Sequence, residues 1–133
     1  MIVVDTNIIA YLYLPTELTG HAERLLETDP EWVAPLLWRS EFRNVLALYL
    51  RKGLLTLADA VRIQDEAEAL LAEQEYSMVS RDVLGLVAAS SCSANDCEFV
   101  ALARTLKVKL VTMDWKVLAE FPEMAISLTD ILP

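Results

Sequence analysis

The chain has 133 residues, enough for one domain with a real hydrophobic core, and 55% of them are hydrophobic against the ~45–50% usual in soluble domains. No uncharged apolar stretch approaches the ~18 residues of a spanning helix, and Asp5 interrupts what would be the apolar part of a signal peptide, so a cytoplasmic protein off the membrane is expected. The net charge of −9 argues against a general nucleic-acid binder, whose affinity comes from cations on phosphate, but leaves room for an enzyme that holds phosphate through divalent metal.

In chain order, the apolar run MIVV (1–4) predicts a strand, followed by a helix from about Asn7 to Leu14 that Pro15 ends. A short helix is expected over His21–Thr28 and a strand over Glu31–Ala34. Pro35 suits the first turn of a long helix reaching Arg51 and stopped by Gly53. Thr56 caps a helix from Leu57 to about Glu73, Tyr76–Val79 reads as a strand, and a small-residue helix runs from Asp82 to about Cys92. Ser93 opens a helix ending near Leu106, Lys109–Thr112 is a strand, Trp115–Phe121 a helix and Ala125–Ser127 a last strand. Strands alternating with helices predict an α/β sandwich of three layers: a short, mostly parallel sheet of four to five strands, flanked by about seven helices. No repeat or linker divides the chain, so residues 1–133 form a single domain. Cys92 and Cys97, with no clustered histidine, read as small core residues rather than zinc ligands.

In parallel sheets ligands sit beyond the carboxyl ends of the strands. Asp5 ends the first strand and Asp114 follows the VKLVT strand by one residue, so neighbouring strands would aim both at one crevice. Asp96 stands three residues after Ser93, where it could complete a capping box. Capping alone accounts for each of these three. Glu41 is different: it is expected well inside a helix, on a face with Leu37, Val45 and Leu48, where a carboxylate must find a cation or take up a proton. One explanation covers all four, a hard-ion site for Mg²⁺ or Mn²⁺, whose retained waters supply a nucleophile for phosphodiester hydrolysis. Thr6, Asn7 and Thr112 are placed to orient those carboxylates. Arg39, Arg43 and Lys116 are candidates for contact with substrate phosphate, though ordinary surface charge explains them too.

With Asp5, Glu41, Asp96 and Asp114 in this order, the chain resembles the PIN domain, and the VapC-like toxin ribonucleases in particular. The stretches that carry the likeness are MIVVDTNIIAYLYL, SEFRNVLALYLRKGLLT and NDCEFVALARTLKVKLVTMD, which together span essentially the whole chain. The resemblance implies a PIN-like fold and a metal-dependent endoribonuclease with Mg²⁺ or Mn²⁺ as cofactor, acting on RNA. It also implies a homodimer and a small cognate antitoxin as partner, with the four carboxylates as catalytic metal ligands. One departure stands out: the family commonly carries a tyrosine before the third carboxylate, and here the chain reads Asn95-Asp96-Cys97. Cys97 beside a candidate ligand also suggests a point of oxidation sensitivity. Two other readings stay open. One is a Mg²⁺-dependent phosphohydrolase of small phosphoesters, disfavoured by the lack of a Gly-rich phosphate loop. The other is a catalytically weak or inert PIN-fold interaction module, kept open by Asn95 and the apolar-rich composition. Exposed apolar surface on the first helix and the Leu57–Glu73 helix would suit a groove for an antitoxin segment, and equally burial in the core or a dimer.

Overall fold

A computed structural model of the chain describes residues 1–133. Five short strands, β1 (Ile2–Val4), β2 (Trp32–Pro35), β3 (Glu75–Tyr76), β4 (Leu110–Thr112) and β5 (Ala125–Ser127), form one sheet in the order β3-β2-β1-β4-β5. Every pairing is parallel. Every residue of β1, β2 and β4 is buried, which is why these strands read as continuous apolar runs rather than alternating ones.

Eight helices connect and cover the strands: α1 (Thr6–Tyr13), α2 (Thr19–Thr28), α3 (Trp38–Arg51), α4 (Leu57–Leu70), α5 (Ser80–Ala88), α6 (Ala94–Leu106), α7 (Trp115–Glu120) and α8 (Leu128–Ile131). The chain steps outward from β1 to β2 to β3, then returns to the other side of β1 for β4 and β5. Right-handed crossovers therefore set α1–α4 on one face and α5–α7 on the other, giving the three layers expected. Within the second layer, α6 packs on β1, β2 and β4 and buries Cys97, Phe99, Val100, Ala101, Leu102 and Ala103.

Local chemistry sets the helix ends. After α3, Gly53 adopts φ of 72°, its N–H reaches the Leu50 carbonyl and the Leu54 N–H reaches that of Tyr49. This is a Schellman stop, and glycine tolerates its left-handed turn without strain. Thr56 and Asp59 exchange side-chain and backbone hydrogen bonds in a capping box at the start of α4.

Several expectations need correction. Pro35 closes β2, paired with Tyr76, instead of opening α3. The donors to β3 come from Ala34 and Leu36, so the missing Pro35 N–H costs that ladder nothing. Because α3 starts only at Trp38, Glu41 lies in its first turn, not deep inside it. The buried stripe of α3 is Trp38, Phe42 and Leu46; Leu48 is exposed, and Glu41 stands at the edge of the core. The third strand is Glu75–Tyr76, not Tyr76–Val79, and α5 begins at Ser80 rather than Asp82 and ends at Ala88 short of Cys92. The helix α4 stops at Leu70, before Glu73, which takes a left-handed φ of 66°. The terminal α8, capped by Ser127 through the Asp130 N–H, went unforeseen.

Candidate active site

The strand order reverses between β1 and β4, and the carboxyl ends of the strands at such a reversal are where parallel sheets place their ligands. The register pairs Val4 with Val111, and the Asp5 N–H reaches the Val111 carbonyl at 3.0 Å, so Asp5 lies alongside Thr112. The Thr112 hydroxyl donates to Asp5 Oδ2 at 2.7 Å. It accepts from the Asp114 N–H at 3.0 Å and, over a longer 3.5 Å, from Asn7 Nδ2. Both of those neighbours are N–H donors, so the single hydroxyl proton has Asp5 as its acceptor. Thr112 is fully buried and ties three of the site's residues together.

Asp5 precedes α1 but is a poor cap. Its Oδ1 accepts from the Thr6 N–H at 2.7 Å, the first amide of the helix, whereas capping side chains serve the second or third. Asp114 does cap: its Oδ1 takes the Lys116 N–H at 2.9 Å and the Val117 N–H at 3.3 Å. For Asp96 the capping residue is Ser93, whose hydroxyl accepts from the Asp96 N–H at 3.1 Å, without the reciprocal half of a box. Glu41 is reached from across the layer by the buried Thr6 hydroxyl, which donates to its Oε1 at 2.7 Å. Thr6 thus joins the end of β1 to α3.

The electrostatics couple the carboxylates. Burial pushes Asp5 from its ordinary 3.8 up to about 6, helped by the charges of Glu41 and Asp96 and resisted by the Thr112 and Thr6 hydrogen bonds. Glu41 is raised by burial first, then by Asp96 and Glu98, with Thr6 pulling the other way. Burial and the Asp114 charge raise Asp96, while Ser93 and the Lys116 ammonium oppose them. Asp5, Glu41 and Asp96 thus bear on one another, and Asp114 bears on Asp96.

As they stand, no three His, Cys, Asp or Glu side chains are close enough to chelate a single ion. Each is tethered separately, Asp5 and Glu41 by threonines and Asp114 by its cap. The donor set nevertheless suits a hard cation: it is all carboxylate oxygen, Lys116 is the one cation that bears on it, and the neighbouring Asn7 Oδ1 is buried without a partner.

The basic residues separate. Arg39 is fully engaged elsewhere: it grips Glu75 with Nε to Oε2 and Nη2 to Oε1, each at 2.6 Å, and reaches Glu68 at 3.1 Å, tying α3 to β3 and α4. Arg43 is exposed and contacts its own helix through Ser40. Lys116 alone stays with the carboxylates, its Nζ 3.4 Å from the Ser91 carbonyl. The thiols of Cys92 and Cys97 are free and buried, and burial pushes both up, which runs against the expected oxidation sensitivity of Cys97.

Sequence reasoning overlooked Glu98, a half-buried carboxylate of α6 whose charge bears on Glu41. Two residues from Asp96, it belongs to another helix face; a lone acid in the apolar run CEFVALA was the available signal.

Comparison with known proteins agrees with this arrangement. A family model, the PIN domain, matches residues 2–124. Ribonuclease VapC3 of Pyrobaculum aerophilum is 31% identical over 126 residues, covering 92% of this chain and 96% of its own. Two crystal structures share the fold: PAE2754 from Pyrobaculum aerophilum, with a TM-score of 0.79, 19% identity and coverage of 98% of this chain and 85% of its own; and FitAcB from Neisseria gonorrhoeae, at 0.76, 17%, 98% and 99%. A family match over nearly the whole length, a parallel sheet that reverses at β1, and carboxylates gathered at that reversal agree: the chain belongs to the PIN domain family.

Proposed function

We propose that this protein is a divalent-metal-dependent endoribonuclease, the toxin of a toxin–antitoxin pair. The observation that carries the reading is the coupling of Asp5, Glu41 and Asp96, with Asp114 beside them, at the switch point of a PIN fold. Kinship with a protein named a ribonuclease supports RNA over small phosphoesters as substrate. In this reading the four carboxylates hold Mg²⁺ or Mn²⁺, which when bound supplies Lewis acidity for phosphodiester hydrolysis and offsets phosphate charge.

The chain's own residues do the rest. The Thr112 and Thr6 hydroxyls favour the ionised forms of Asp5 and Glu41 against burial and fix their orientation. Asn7 braces Thr112, and its unpartnered buried Oδ1 offers a further acceptor within the site. Lys116 is the cation nearest the cluster and the candidate for substrate phosphate. Arg43 lies farther along α3, and Arg39 is held by Glu75 and Glu68.

Two separate apolar surfaces support two protein partners. Between α3 and α4 runs a groove lined by Leu46, Leu50, Ala60 and Val61, with Leu57 exposed nearby, suited to an antitoxin helix. On the other layer Val79 and Leu84, at the start of α5, are exposed and suit a homodimer contact. No helix is long and apolar enough to cross a membrane, which is compatible with a cytoplasmic toxin.

Purified protein should cleave RNA in Mn²⁺ or Mg²⁺, stop in EDTA, and lose activity as Asp96→Asn or Glu41→Gln. Cleavage that persists in EDTA, or in both variants, would refute the assignment.

A further inference from the structure

Of the three tryptophans, Trp32 and Trp38 are buried at 1% and 0% exposure, whereas Trp115 is 74% exposed, the most open large apolar side chain in the molecule. Its position makes this informative. Trp115 is the first residue of α7 and follows Asp114 directly, and the Asp114 carboxylate fixes the next two amides. Val117, at 1% exposure, anchors the same turn in the core. The exposed indole therefore stands on a backbone fixed at both sides, one residue after Asp114.

Trp115 belongs to a different segment from the other exposed apolar residues. The other exposed large apolar residues lie on or near α3 and α4 (Leu48, Leu54, Leu57, Val61), in the turn after β2 (Leu36), at the N-terminus (Met1), and around the start of α5 (Val79, Leu84). Trp115 sits apart, between Asp114 and Lys116, with no aromatic partner. Lys116 extends to the Ser91 carbonyl and bears on Asp96 and Glu120. An exposed indole whose turn also carries a cation suits single-stranded nucleic acid, where a ring stacks a base and a cation meets phosphate.

We propose that Trp115 is a stacking platform for one unpaired base of the RNA substrate next to the cleaved phosphodiester, a positioning role that rests on the ribonuclease reading. Because every base has a π face, the platform fixes the register of a single strand more than its sequence.

Trp115 is the accessible fluorophore, so the test reads it directly. Wild-type protein is mixed rapidly in Mn²⁺ with a single-stranded oligoribonucleotide that it cleaves, and tryptophan emission and iodide quenching are followed before turnover. The same strand carrying an abasic residue at the stacked position is the comparison. Steady-state rates are measured for Trp115→Phe and Trp115→Ala. The expected result is quenched emission and iodide protection with the intact strand and neither with the abasic one. KM should rise roughly 5- to 150-fold in Trp115→Ala with kcat held, and by less in Trp115→Phe. Unchanged melting temperatures would exclude a folding effect at so exposed a site. RNA cleavage with no change in emission or iodide access, or with equal KM in all three proteins, overturns the platform and leaves the ribonuclease assignment standing. A protein that cleaves no RNA in either metal overturns both.

Discussion

Replacing Asp5 with asparagine should stabilise the metal-free protein at neutral pH and destabilise it in acid. The Asp5 carboxyl is raised to about 6 from 3.8, above all by burial and further by the charges of Glu41 and Asp96. A carboxyl raised on folding contributes stability that is fully present below 3.8 and is lost as pH climbs through 6, because the unfolded chain ionises more readily. At 1.36 kcal/mol per pH unit, that gap costs the native protein about 3 kcal/mol at pH 7. Asparagine removes the charge but not without loss. Its carbonyl can still accept from the Thr6 N–H, yet its amide would face a Thr112 hydroxyl that already receives N–H bonds from Asn7 and Asp114. That mismatch costs about 1 kcal/mol. The net expectation is a gain of about 2 kcal/mol at pH 7.5 and a loss of about 1 kcal/mol at pH 3. Urea unfolding in EDTA at the two pH values measures it. An asparagine variant whose difference from wild type is the same at both would refute the electrostatic account of Asp5. In parallel, saturating Mn²⁺ should raise the wild-type melting temperature and leave the variant's unchanged.

The basic residues give two further tests with opposite outcomes. Arg39→Ala should cost about 2–3 kcal/mol in urea unfolding, because it strips a bidentate partner from the nearly buried Glu75, while RNA cleavage at permissive temperature stays normal. Arg39 holds Glu75 below its usual range, so this contribution is present above the ordinary pKa of 4.5 and fades as pH falls through the lowered one; the stability gap between wild type and variant should therefore close in acid. Lys116→Ala should leave stability nearly unchanged, weaken RNA binding, and flatten its log–log salt dependence by about one unit; an unaltered slope would remove Lys116 from the phosphate contacts.

What the sequence made legible follows from how local each cause is. Asp5, Asp96 and Asp114 sit at junctions where a strand ends or a helix starts, and those junctions are written in nearby residues: the IVV and LVT runs and the serine three places before Asp96. Their convergence needed only the parallel-sheet rule. Glu41 was found for a reason that proved partly wrong. It is at the edge of α3's core stripe, and what makes it informative is the Thr6 hydroxyl, a partner 35 residues away. Arg39 misled for the same cause: its neighbour in sequence is the site, but its partner in space is Glu75, brought there by the pairing of β2 with the two-residue β3. Trp115 was read only as a helix start, because periodicity reports which residues can be buried and is silent on a large apolar one left outside.

In the proposed metal site the two threonines would resolve a conflict. Carboxylates that bind a hard cation must be ionised, yet the burial that positions them favours the proton. Thr112 opposes this because its proton is committed to Asp5 by the two N–H donors on its oxygen. Thr112→Val removes that donor at nearly constant shape. A hydrogen bond to a charged group is worth about 1.5 kcal/mol, so the Asp5 carboxyl should climb by about one further pH unit, into the neutral range. Mn²⁺ must then displace a proton at pH 7, and the pH midpoint of Mn²⁺-induced thermal stabilisation should move up by about the same amount. Thr112→Ser, which keeps the hydroxyl, should restore the wild-type midpoint; the valine variant alone also strands the Asn7 and Asp114 donors and will be less stable throughout. Equal midpoints in the valine and serine proteins would mean that Thr112 merely fills space, and that some other group keeps Asp5 ionised.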